Sequence, residues 1–161
     1  MTQHNVVISF VCTGNICRSP MAEAILKHTL SEEGRTDVEV VSCGTGGWHI
    51  GQAPDKRALA ELSAHGYDGS ALRASQFAQR DADADLLIAL DNGHRSHLIA
   101  SGVPEEKVAL LRDFDPNSPD GANVDDPYYG GPEGFTVTRN QIEAAIPGIL
   151  KWVNSYTEGR E

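Results

Sequence analysis

At 161 residues the chain has the size of a single domain, 1–161, with one sizeable core. A net charge of −10, from 13 basic and 23 acidic residues, argues against nucleic acid and against an anionic membrane surface. No run approaches the ~18 apolar residues of a membrane span, and Met1 to Asn5 lack the cationic, apolar pattern of a signal peptide, so a cytoplasmic protein is expected. Three cysteines, Cys12, Cys17 and Cys43, do not make a disulfide framework.

The elements alternate. His4–Val11 reads as a continuous apolar strand of the kind buried on both faces of a parallel sheet. Pro20–Glu33 reads as a helix with Met21, Ile25 and Leu26 on one face and Gly34 as its stop. Val38–Ser42 is a second strand. Asp55 then caps a helix to His65, with Leu59 and Leu62 inward and Gly66 after it. Ser75–Arg80 is expected as a short helix and Leu86–Leu90 as a third buried strand. Asp91 caps a helix to about Ser101, ended by Gly102, and Val108–Leu111 is the fourth strand. A loop from Arg112 to Pro132 is long enough to suggest function. Glu133 to Tyr156 is helical, with Val137, Ile142, Ile146, Leu150 and Val153 toward the core, and Pro147-Gly148 is expected to kink or split it.

This order predicts an α/β fold, a three-layer sandwich with a four-stranded parallel sheet flanked by helices, joined by right-handed crossovers. Such sheets bind ligands beyond the carboxyl ends of their strands. The stretch Cys12-Thr13-Gly14-Asn15-Ile16-Cys17-Arg18-Ser19-Pro20 leaves the first strand at that end and opens the first helix. A loop wrapped over a helix N-terminus points backbone N–H groups into one concavity that suits a phosphate-like anion. Arg18 can grip two anion oxygens through its planar fork. The same field favours the thiolate of a cysteine placed at Cys12, a poised nucleophile toward phosphorus.

Cleavage of a phosphate ester also needs a proton for the leaving oxygen. The long loop offers Asp113, Asp115, Asp120, Asp125 and Asp126. Asp115 and Asp126 both precede proline, which favours extended backbone and aims the side chain. Asp126 also stands before Tyr128 and Tyr129, which could wall a slot for an aryl phosphate. The histidines show no ligand pattern that completes a metal site, and His94 and His97 read as solvated residues on one helix face.

The C-x5-R-S loop near the N-terminus together with Asp126-Pro127-Tyr128-Tyr129-Gly130 resembles the low-molecular-weight protein tyrosine phosphatases, over the whole chain length. Ser42 to Gly51, with Trp48, is similar to that family's aromatic-bearing loop beside the pocket. The resemblance implies that Cys12 attacks phosphorus and forms a cysteinyl-phosphate. It implies that Arg18 holds the equatorial oxygens, and that Asp126 serves as acid and then base. Thr13, Gly14, Asn15, Ile16, Cys17 and Ser19 would contact the phosphate or brace the loop. Ser19 would donate to the Cys12 sulfur and Asn15 would work with Ser42, while Trp48, Tyr128 and Tyr129 line the entrance. No metal or organic cofactor is implied. The partners expected are tyrosine-phosphorylated proteins, with weak self-association left open. Cys17, close to Cys12 along the loop, suggests redox sensitivity through a Cys12–Cys17 disulfide. Where the family often carries a histidine supporting the loop asparagine, this chain has Leu72.

Three other readings use the same scaffold. Arsenate reduction needs relay cysteines, and the segment from Leu72 to Leu90 has none. A non-catalytic phosphoprotein-binding module would be expected to lose Cys12, Arg18 or the acid. A protein-arginine phosphatase is the nearest alternative. Relatives of that kind tend to carry Thr at the position of Ile16, where a hydroxyl can serve a phosphoguanidinium.

Overall fold

The computed structural model describes residues 6–159. Four strands form one parallel sheet: β1 (Val6–Cys12), β2 (Val38–Gly44), β3 (Leu86–Ala89) and β4 (Val108–Leu110), in the order β2-β1-β3-β4. Five helices connect or cover them: α1 (Arg18–Glu32), α2 (Lys56–Ala64), α3 (Gln79–Ala82), α4 (Asn92–Ala100) and α5 (Pro132–Glu158). The apolar strands alternate between two cores. Val6, Ile8, Phe10, Leu86 and Ile88 pack with α1, α2 and α5 residues on one face. Val11, Leu87, Ala89 and Leu110 pack with Leu98 of α4 on the other. The period-2 strand geometry therefore buries both faces, as the unbroken apolar runs require.

The strand order reverses direction at β1. The chain moves from β1 to β2 on one side and continues from β3 to β4 on the other. The crevice at the carboxyl ends of β1 and β3 is thus the switch point at which such sheets bind ligands.

Several boundaries differ from the sequence reading. His4 and Asn5, expected in the first strand, lie outside the described residues. β2 continues through Gly44, because Cys43 and Gly44 still pair with Val11 and Cys12. α1 begins at Arg18, two residues before the expected start. The expected helix Ser75–Arg80 is instead extended at its start, and only Gln79–Ala82 is helical. Gly44 N–H donates to Ser75 O and Phe77 N–H to Gly44 O, so tertiary pairing with the end of β2 overrides local preference. The long loop contains two 3-10 turns, Leu111–Phe114 and Pro127–Tyr129.

α5 runs as one element through Pro147 and does not split. Ile142, Ala145, Ile146, Ile149 and Val153 are buried around the proline, and that packing outweighs the lost hydrogen bond. Gly148 faces the Phe114 carbonyl so closely that no Cβ would fit there. Val137, expected in the core, is 52% exposed, and Leu150 is half-buried. The buried stripe keeps the expected Ile142, Ile146 and Val153 and is completed by Phe135, Thr138, Ala145 and Ile149.

Candidate active site

The phosphate-type loop is held open by its surroundings. Cys12 O, Thr13 O and Ile16 O accept from Thr45 N–H, Gly46 N–H and Asp55 N–H, at 2.8, 3.0 and 2.8 Å. Among the described residues, no N–H of residues 13–17 donates to a protein acceptor. The carbonyls are therefore engaged outside, and the donors remain for an anion in the concavity. Gly44 allows the close approach: a Cβ there would stand 2.6 Å from Thr13 O.

Asn15 adopts φ 57°, the left-handed region that asparagine tolerates better than most residues. Its amide fixes that geometry. Nδ2 donates to Ser19 Oγ at 2.7 Å and to Ser42 Oγ at 2.9 Å, and Oδ1 accepts from Ser75 N–H at 2.9 Å. Ser42 in turn donates to Glu23, a buried carboxylate also paired with Lys27. The amide is thus fully used with Leu72 where the resembling family often has histidine; Leu72 instead packs against the apolar core.

Ser19 Oγ lies 2.9 Å from Cys12 Sγ. Because it accepts from Asn15, its own proton is free for the sulfur, with Cys43 O more distant at 3.4 Å. A hydroxyl aimed in this way stabilises a thiolate leaving group. Cys17 is different. Burial, followed by the negative charges of Asp55, Cys12 and Asp126, pushes its thiol far up, so it stays protonated.

Arg18 is buried to 3% exposure and is anchored from behind. Nη1 donates to Asp91 Oδ2 at 2.8 Å and to Val124 O at 2.9 Å, while Nη2 lies 3.3 Å from Thr13 Oγ1. Burial works to raise the Asp91 pKa, but the bonds from Arg18 and His94 N–H prevail and hold it below the usual carboxylate range.

The acid loop is tied to the same point. Val124 N–H donates to Leu90 O, continuing β3, and Val124 O receives Arg18. Two residues on, Asp126 Oδ2 stands 3.7 Å from Arg18 Nη2, and Oδ1 caps the turn through Tyr128 N–H at 3.1 Å. Asp126 is the one loop aspartate lining the cavity. The Asp115 carboxylate is taken up by its own turn, accepting from Asn117 N–H, while its backbone carbonyl accepts from Ser118 N–H.

The cavity measures about 330 Å³ and brings together Cys12, Thr13, Gly14, Ile16, Cys17, Arg18, Trp48, Asp126, Tyr128 and Tyr129. Of the other expected site residues, Asn15 and Ser19 lie buried behind the loop. Trp48 folds over Gly46, and Tyr128 and Tyr129 meet edge to face at 5.1 Å. His49 also lines the cavity, resting against Gly14.

Sequence reasoning missed Asp91 and His94 as parts of the site. His97 is exposed as expected, but His94 is buried at 4% and touches Thr13. The signal was present: the residues after β3 leave the strand beside β1 at its carboxyl end, as the Cys12 loop does. Arg57 and Val124 were likewise missed.

A profile of the low molecular weight phosphotyrosine protein phosphatase family matches residues 7–158. The chain is 47% identical over 149 residues to low molecular weight protein-tyrosine phosphatase A of Mycobacterium tuberculosis, covering 91% of each chain. It superposes on a protein tyrosine phosphatase from Entamoeba histolytica with a TM-score of 0.88 at 29% identity, covering 95% of this chain and 99% of that one. A Drosophila arginine phosphatase gives a TM-score of 0.81 at 33% identity, covering 91% and 96%. With a family match spanning nearly its full length, and a loop, acid turn and sheet order of this kind, the chain belongs to the low molecular weight phosphotyrosine protein phosphatase family.

Proposed function

We propose that the protein hydrolyses phosphotyrosine in proteins through a cysteinyl-phosphate. The carrying observation is the convergence of Cys12, Arg18 and Asp126 on one cavity at the end of β1. In the first step the Cys12 thiolate attacks phosphorus, the phosphorus–oxygen ester bond breaks, and Asp126 gives its proton to the departing phenol oxygen. Arg18 and the loop N–H groups hold the equatorial oxygens throughout. In the second step water attacks phosphorus, Asp126 takes its proton, and the thiolate leaves with Ser19 as donor. No metal or organic cofactor takes part. A cytoplasmic setting and weak self-association belong to the same proposal. Burial keeps the Cys17 thiol protonated, which makes it a slow trap for an oxidised Cys12.

The deep cavity and its aromatic rim support phosphotyrosine over phosphoserine, whose side chain is too short to bring phosphorus to Cys12. The arginine phosphatase among the structural neighbours makes phosphoarginine the rival substrate. Turnover of matched phosphotyrosine, phosphoarginine and phosphoserine peptides tests the proposal. Phosphotyrosine should give the highest kcat/KM, and Cys12→Ser should abolish turnover while still binding phosphate. A preference for phosphoarginine would overturn the substrate assignment. Asp126→Ala should lose roughly 10²–10⁴-fold on poor leaving groups. Asp115→Ala costing more would show the wrong acid.

A further inference from the structure

We propose that His94 is a positioning residue for the anion site: its Nε2–H, 2.9 Å from Thr13 Oγ1, turns the Thr13 hydroxyl proton into the cavity. The inference rests on the phosphate-binding reading of the Cys12 loop.

The proton positions follow from the partners. Asp91 N–H donates to His94 Nδ1 at 3.2 Å, and a backbone N–H can only donate; Asp91 Oδ1 also lies 3.2 Å from Nδ1 but makes no hydrogen bond to the ring and takes His94 N–H instead, so Nδ1 is an acceptor. A neutral imidazole with Nδ1 as acceptor carries its proton on Nε2. Neutrality is enforced by place: burial first, and the nearby Arg18 charge, pull the His94 pKa down to about 4. Nε2–H therefore donates to Thr13 Oγ1. Arg18 Nη2 approaches the same oxygen at 3.3 Å. A hydroxyl oxygen has two lone pairs and one proton. With both lone pairs facing these donors, the proton of Thr13 has the cavity left to it.

The cavity then holds one more aimed donor than the loop N–H groups and Arg18 supply. His94 also serves Arg18 indirectly. His94 N–H bonds Asp91 Oδ1 at 3.0 Å while Asp91 Oδ2 holds Arg18 at 2.8 Å, so one helix turn fixes both anion-binding side chains. This helix N-terminus is not offered as a site of its own. It orients Thr13 and Arg18, which line the cavity already described.

The test measures inorganic phosphate binding to the full chain, together with kcat and KM on an aryl phosphate. His94→Asn keeps an acceptor for Asp91 N–H but loses the donor to Thr13. His94→Gln can restore an N–H at the Nε2 position. Thr13→Val removes the hydroxyl. His94→Asn and Thr13→Val should each weaken phosphate binding about three- to tenfold, the worth of one hydrogen bond. His94→Gln should lie within about twofold of the parent, and the His94→Asn/Thr13→Val double variant should be no weaker than Thr13→Val alone. Additive losses, or a His94→Gln protein no better than His94→Asn, would overturn the proposal. The unsubstituted protein offers an independent check through nitrogen NMR of the ring. The expected result is the Nε2–H tautomer at pH 7, with its resonance moving as phosphate is added; an Nδ1–H tautomer contradicts the assignment. Phosphate binding and tautomer are read without turnover, so failure of the phosphatase reading would show separately as absent hydrolysis.

Discussion

Arg57 grips the backbone of the acid turn, its Nη2 donating to Tyr128 O at 3.0 Å and its Nη1 to Gly130 O at 2.9 Å. The guanidinium also lies over the Tyr128 ring at 5.6 Å and over the Phe135 ring at 4.7 Å. Asp55 fixes it from the other side through two bonds, at 3.0 Å each. Asp55 N–H meanwhile holds Ile16 O of the phosphate-type loop. Asp55 and Arg57, two residues apart at the start of α2, thus tie the loop of Cys12 to the turn of Asp126.

Loss of this clamp should act on proton delivery rather than on anion binding. Arg57→Ala should lower kcat roughly 5- to 150-fold, the worth of the two backbone hydrogen bonds it makes to the acid turn. The loss should be largest for aryl phosphates with poor leaving groups, because only they need a well-placed acid. Inorganic phosphate inhibition should stay near the parent value. A uniform loss across leaving groups would place Arg57 outside the acid step.

Asn15 combines a left-handed backbone with three amide bonds, to Ser19, Ser42 and Ser75. Asn15→Ala should strain the loop and also leave Ser75 N–H without its acceptor. A loss of about 3 kcal/mol is expected, or roughly 6–12 °C in Tm for a chain of this size. Asn15→Gly should recover the backbone part of the stability but little of the activity, since Ser19 would lose the donor that directs its proton to Cys12. Thermal unfolding and kcat for the two variants separate these contributions. Equal Tm values would show that the backbone conformation carries no cost.

The sheet was legible because its strands are buried on both faces and so appear as uninterrupted apolar runs. Cys12, Arg18 and Asp126 were legible because their motifs are contiguous. The supports of the site were hidden because they act across the fold. Asp91 reads locally as a helix cap, and it is one; only the β1–β3 pairing puts its second oxygen on Arg18. His94 has the spacing of a surface residue, and the Thr13 contact that buries it joins residues 81 apart in sequence. Val124, an apolar residue in a polar loop, was the visible trace of that loop's anchor. The Ser75 segment failed as a helix because its backbone was needed by Gly44 and Asn15.

Ile16 lines the cavity and packs against the core from the loop centre. An isoleucine offers no partner to a phosphoguanidinium N–H, and an unpaired donor in a dry pocket costs about 1–3 kcal/mol. Ile16→Thr should therefore raise the phosphoarginine-to-phosphotyrosine ratio of kcat/KM by roughly one to two decades. An unchanged ratio would separate substrate choice from this position.

His94 should also make stability fall in mild acid. In the folded protein its pKa is drawn down to about 4, first by burial and then by Arg18 and His97, against the opposing pull of Asp91 and Asp126. In the unfolded chain the ring takes a proton near its ordinary value of about 6.5. Between these values the unfolded state holds more protons than the folded one, so stability rises with pH across that window. The contribution is complete above about pH 6.5 and is lost as the pH falls toward 4. The full shift corresponds to roughly 3 kcal/mol. Asp91, held below the usual carboxylate range, adds its own loss only further into acid. Urea unfolding at pH 7 and pH 4.5 measures the effect. The parent protein should lose roughly 2–3 kcal/mol more than His94→Asn over this interval, since asparagine has no proton to gain. Equal losses in the two proteins would mean that His94 titrates in the folded protein as it does in the unfolded chain.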